Sequence, residues 1–229
     1  MTIARLHSTF GRIFHQRCFY LFVSLVSLIA IAPFVSETLQ GRMLVVGANV
    51  FVLVAAVAAV GRTTLPFVIA VLLGLPGLGF RVMGALAADD SAHNMIVSSA
   101  FFLAFYVVAL VYLLRYVFSP EVMTDDKLFG AAAAFLMLGV AWAIGYDLLQ
   151  RLDPGALGLK PGDPPRSFFD LLFMSIGYLT SNGPGDIMLY GARARTLAIL
   201  EQAFGTLFVA ILIARLAGIY PPKGEGGAR

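Results

Sequence analysis

Long apolar stretches separated by short polar breaks organise this chain. They fall at 18–35, 43–61, 67–86, 95–118, 128–150 and 192–219. A hydrocarbon core of about 30 Å needs on the order of 20 apolar residues per helix, so each stretch is expected to be a membrane span. Between the last two lies 151–191, polar at its start and carrying one shorter apolar piece at 167–180, roughly four helical turns. A piece of that length enters a membrane and leaves again on the same side. Non-helical backbone at membrane depth survives only where it is buried in protein or lines a watery cavity. The glycine-rich SNGPGD (181–186) that follows is therefore expected to be a re-entrant loop lining such a cavity. The pattern predicts an all-α membrane protein of six transmembrane helices plus a re-entrant helix and loop.

Composition agrees, with 59% hydrophobic and 13% charged residues, a balance typical of membrane proteins. The net charge of +3 comes from scattered Lys and Arg that form no basic run, which argues against a nucleic-acid partner. The single cysteine, Cys18, has no intrachain disulfide partner, and no Cys/His spacing resembles a metal site. His7, His15 and His93 lie outside the spans, and no Ser/His or paired-acid arrangement falls within them. Neither a catalytic site nor a cofactor is expected, so the chain is not read as an enzyme.

The first apolar stretch is too long for a secretory signal and lacks a small-residue cleavage site, so it is expected to stay attached as the first helix. Residues 1–17 are basic and amphipathic, suited to the membrane surface. An even number of spans puts both termini on one side, and the positive-inside rule favours the cytoplasm. The localisation expected is a cell membrane, with lipid as a partner and a disordered tail at 221–229.

Two breaks subdivide the chain. Pro76, within GLPGLGF (74–80), is expected to bend the third span because proline removes a backbone hydrogen bond. Ser119-Pro120 ends the fourth span, after which TDDK (124–127) supplies a Thr124 or Asp125 cap and first-turn acids for the fifth. The expected domains are thus 18–118, with four helices, and 119–220. Voltage sensing requires several cations on one face of the fourth helix, since each charge yields only about 2.3 kcal/mol per 100 mV. That helix carries only Arg115, so 18–118 is voltage-sensor-like in layout but lacks gating charges.

From about 124 to 220, an outer helix, a short helix, a glycine-bearing loop and an inner helix follow one another. Where the loop holds Ser181, Asn182, Gly183, Pro184, Gly185 and Asp186, the potassium-channel superfamily carries TVGYGD. The segment resembles the pore domain of that superfamily, with the six-span layout of its voltage-gated-like bacterial members. Arg195 lies ten residues beyond Gly185, and Gly205 twenty beyond it, where the family often carries a hinge glycine. The resemblance implies a homotetramer around a central pore, conducting K⁺ or another monovalent cation. Thr180 through Asp186 would form the selectivity filter, and the backbone carbonyls of Ser181, Asn182, Gly183 and Pro184 would replace the water shell of the ion.

The departures fall on the side chains behind such a filter. Gly183 and Gly185 keep the capacity for left-handed backbone, and Ser181 keeps a hydroxyl. Pro184 in place of tyrosine removes a strut and an N–H, and Asn182 in place of valine brings an amide that needs a partner. The alternative is thus a weakly selective or non-conducting pore-like protein. Four copies of Asp186 would form an anionic ring at the outer mouth, whereas Asp170 suits the start of the short helix.

On the last span, Thr206, Val209, Ala210, Ile213 and Ala217 recur at helical steps, and the family register implies that they line the cavity as an apolar gate. Gly205 is either a hinge or a close-packing residue. Glu201 and Asp147 are intramembrane acids, expected to pair with Arg193, Arg195 or Arg151, and Arg81 to snorkel outward or pair with Asp89 or Asp90.

Overall fold

The computed structural model describes residues 17–31, 47, 50–52, 54–56, 64–86, 92–120, 123–160, 163–183 and 187–219. Segment 1–16, most of the expected second span, the Asp89-Asp90 pair, Pro184 to Asp186 and the tail at 221–229 lie outside the described residues. Among those described the chain is all-helical. The elements are α1 (Arg17–Ile31), α2 (Thr64–Leu86), α3 (Ala92–Val117), α4 (Asp125–Leu152), a 3-10 turn (Pro154–Leu157), α5 (Phe168–Leu179) and α6 (Gly191–Ile219).

Three helical stretches are long and apolar enough to cross a membrane: His93–Val117, Asp125–Leu152 and Gly191–Ala217. Arg17–Ile31, Val71–Met83 and Phe168–Leu179 are shorter apolar helices. Pro76 lies inside α2.

Helix α4 is the hub, packing against α1, α3, α5 and α6, while α2 packs on α3. Its sequence explains this position. GAAAAFLMLGVAWAIG presents small residues that let neighbouring backbones approach closely, the usual basis of helix association in lipid. A Cβ on Gly130 would lie 3.3 Å from the Cys18 sulfur of α1, and one on Gly139 would lie 2.6 Å from Ile176 Cδ1 of α5. The start of α4 is fixed locally: Thr124 caps it by accepting from the Lys127 N–H, and Asp125 and Asp126 occupy its first turn. Asp126 also accepts from the Cys18 N–H at 2.9 Å and from the Tyr116 hydroxyl at 2.7 Å, joining α1 and α3 to α4.

Burial is uneven. Within their apolar windows 56% of α4 is buried but only 17% of α6, so α6 lies along the edge of the described helices with most of its surface uncovered. An apolar groove of about 840 Å³ runs between α3, α4 and α6, lined by Leu110, Leu114, Trp142, Phe204 and Leu207 among others.

Candidate functional site

Helix α5 is 12 residues long, about 18 Å at 1.5 Å per residue, and stops well short of a bilayer's thickness. Its start is a capping box: the Ser167 hydroxyl accepts from the Asp170 N–H, and the Asp170 carboxylate accepts from the Ser167 N–H. Asp170 thus satisfies backbone donors at the positive end of the helix. The approach to α5 is clamped to α4 by one side chain. Gln150 accepts from the Arg166 N–H at 2.8 Å and donates to the Arg166 carbonyl at 3.2 Å.

The end of α5 carries the glycine-bearing loop. The Asn182 N–H donates to the Gly177 carbonyl at 2.8 Å and the Ser181 N–H to the Tyr178 carbonyl at 2.9 Å, the paired bonds of a Schellman cap. Ser181 occupies the left-handed position of that cap at φ 61°, and Gly183 is also left-handed at φ 97°. The Gly183 N–H reaches the same Gly177 carbonyl at 3.1 Å. A Cβ on Gly177 would lie 2.1 Å from the Gly183 carbonyl oxygen; this close approach requires glycine at 177. Thr180, Ser181 and Asn182 are exposed. The Asn182 amide donates to the Thr180 hydroxyl at 2.9 Å, so its partner is the exposed neighbour in the loop and not a group behind it.

Behind α5 the three helices α4, α5 and α6 meet at Glu201, which is fully buried. The Tyr146 hydroxyl donates to Glu201 Oε2 at 2.9 Å. Ser175 Oγ lies 2.5 Å from Glu201 Oε1 and 2.8 Å from the Gly139 carbonyl oxygen. The expected pairing of Glu201 with Arg193 or Arg195 is therefore corrected: both arginines are exposed, and Arg195 donates to the Leu189 carbonyl. The carboxyl turns inward because α6 packs that face on α5, where the hydroxyls of Ser175 and, from α4, Tyr146 are its hydrogen-bond partners.

Gly205 lies one turn further along the same face of α6. A Cβ there would be 2.0 Å from the Leu179 carbonyl oxygen, so glycine lets α6 touch the last turn of α5. Thr206, Val209, Ala210, Ile213 and Ala217 of the same helix are all exposed. Ser181 Oγ lies 3.4 Å from Thr206 Oγ1. The structure thus brings the loop and this uncovered face of α6 together.

Asp147 forms a second polar centre, where α4 meets α3. It accepts from the Ser99 hydroxyl at 2.8 Å, the Gln150 amide at 2.9 Å and Arg151 Nε at 3.0 Å. The expected pairing with Arg151 is present. Arg81 lines a cavity of about 20 Å³ beside Asp147 and Ser99, room for about one water molecule. At the opposite end of α6, Arg215 donates to the Phe118 carbonyl at 3.0 Å and to the Ser119 carbonyl. Lys127 Nζ donates to the Ser119 hydroxyl at 2.8 Å. The α3–α4 connection is thereby tied to the end of α6.

Sequence reasoning passed over Ser175, Tyr146, Gly139 and Gly177. A signal was present at Ser175 and Gly177, small residues interrupting the apolar run of α5; Tyr146 carried none, since an aromatic residue in a membrane helix is unremarkable until a carboxyl faces it. No protein-family model matches the chain, and no curated protein or solved structure matches it.

Proposed function

We propose that this chain is one subunit of a homotetrameric cation channel of potassium type, embedded in a cell membrane with six spans and both termini cytoplasmic. In this reading α5 is the pore helix, the loop after it is the filter, and the exposed face of α6 lines the cavity. The observation that carries it is the seating of a short apolar helix between α4 and α6, its loop end meeting the uncovered α6 face at Ser181 and Thr206. One such loop cannot enclose a path by itself; four copies around an axis can. The uncovered apolar surface of α6 leaves room for neighbouring subunits, and the groove between α3, α4 and α6 for lipid chains or a neighbour. Conduction is passive, with no catalytic step. Residues 18–118 pack against the pore module without sensing voltage steeply.

A specific observation favours the second reading, a weakly selective or closed pore. The Asn182 and Gly183 N–H groups both bond to Gly177, so the described part of the loop turns back on its helix. A filter of carbonyl rings instead runs extended along the axis.

Stoichiometry tests the first reading. Native mass measurement of the detergent-solubilised protein is expected to give a tetramer, and a monomer or dimer would rule the channel out. If the filter has only drifted in its side chains, Asn182→Val combined with Pro184→Tyr raises the preference for K⁺ over Na⁺. An unchanged preference in a conducting tetramer favours the weakly selective pore.

A further inference from the structure

Glu201 is a buried acid with no cation bonded to it among the described residues. None of the described Lys, Arg or His side chains bonds to it. The titratable groups that face it are Tyr146 from α4 and Tyr178 from α5. An isolated carboxylate in such a place is costly, and the hydrogen-bond inventory around it shows how that cost is avoided.

A serine hydroxyl has one proton to give and two lone pairs to accept with. Ser175 Oγ lies within bonding distance of two oxygens, the Gly139 carbonyl and Glu201 Oε1. One proton cannot serve both contacts, and the carbonyl has none to give, so for both to be hydrogen bonds the second proton must sit on Glu201 and that of Ser175 goes to Gly139. The contact with Glu201 then needs a proton from Glu201 itself. With an ionised carboxylate, one of two buried oxygen pairs, at 2.5 or 2.8 Å, would face each other with no proton between them. With a carboxylic acid every partner is satisfied: Tyr146 donates to Oε2, Glu201 donates to Ser175, and Ser175 donates to the α4 backbone.

We propose that Glu201 is held as a neutral carboxylic acid whose proton fastens α5 to α4 and α6, making it a positioning residue for the loop at residues 180–183. The chain of donors runs in one direction through three helices. Removing the proton reverses the demand on Ser175, which must abandon Gly139 to serve the new anion, and the seat of α5 loosens. The folded protein holds a proton that the unfolded chain releases at neutral pH, so stability falls as pH rises. Any consequence for conduction rests on the channel reading; the protonation and the fastening do not.

Infrared difference spectroscopy of the full-length protein in detergent, Glu201→Gln minus wild type, reads the proton directly. A protonated carboxyl stretch present in wild type at neutral pH and lost in Glu201→Gln is expected; its absence from wild type overturns the proposal. Tyr146→Phe keeps the shape of the core and removes the donor to Oε2, so the same band should shift to higher frequency without being lost. An unshifted band would overturn the arrangement even if Glu201→Gln fails to fold. Thermal unfolding supplies the functional arm. Wild type should lose Tm progressively as pH rises from the ordinary glutamate range, about 4.3, through neutrality, whereas Glu201→Gln, whose amide can donate to Ser175 and accept from Tyr146, should lose this drop; an equal drop in both overturns the fastening. A protein with the band and the suppressed drop that conducts nothing upholds this inference and removes the channel reading, while a conducting tetramer without the band does the reverse.

Discussion

Gly205 and Leu179 are in backbone contact: a Cβ on Gly205 would sit 2.0 Å from the Leu179 carbonyl oxygen. The neighbour is backbone at the end of a helix, which cannot swing aside as a flexible side chain could. Gly205→Ala must therefore push α6 away from α5. Overpacking of this kind costs about 1–3 kcal/mol, and a lower Tm is expected for the solubilised protein. A Tm equal to wild type would show that the contact is not held in solution.

Ser181 offers the opposite opportunity. It sits at φ 61°, in the cap position where glycine is usual, and a non-glycine residue in left-handed backbone costs about 1–2 kcal/mol. Ser181→Gly is expected to recover on the order of 1 kcal/mol and raise the Tm. The hydroxyl that is lost makes only a 3.4 Å contact with Thr206. A fall in Tm would mean that this side chain matters more than the backbone beneath it.

Arg215 joins the end of α6 to the α3–α4 connection through the Phe118 and Ser119 carbonyls. Two acceptors on successive residues suit a planar fork better than a point charge. Arg215→Lys should thus fail to restore what Arg215→Ala loses, about 1.5–3 kcal/mol for charge-assisted bonds. Limited proteolysis near Ser119 reads the same event, with faster cleavage expected in both variants.

Asp147 gathers Ser99, Gln150 and Arg151. Truncation to alanine leaves three donors short of an acceptor in a mostly buried place, and removing one partner of a buried pair costs about 3–5 kcal/mol, less here because the Asp147 and Arg151 side chains are 12% and 18% exposed. Asp147→Ala should unfold or express poorly, and Asp147→Asn, which keeps an acceptor, should lie between it and wild type. Tm or recovered yield orders the three.

What could be read in advance was local. The Thr124 cap, the role of Asp170 and the pairing of Asp147 with Arg151 each involve residues within one turn, so spacing alone exposes them. The surroundings of Glu201 were hidden because its partners lie 26 and 55 positions away and meet it only when α5 is wedged between α4 and α6. The sequence left Gly205 between hinge and packing residue; its close approach to the Leu179 carbonyl, 26 positions away, is a contact that spacing could not reveal. Ser181 gave no warning of left-handed backbone, since serine is not a residue expected there; the helix end imposed that geometry through two hydrogen bonds to α5. The three long apolar helices stood out because hydropathy accumulates over many residues, whereas the uncovered side of α6 emerged only once its neighbours were in place.

The proposal that four copies of this chain conduct cations is tested most directly by the reversal potential of the purified protein in planar bilayers under opposed cation and chloride gradients. A current whose reversal potential follows the cation gradient is expected, with K⁺ at least as permeant as Na⁺. A membrane no more conductive than a protein-free bilayer, or a reversal potential that follows chloride, would contradict it.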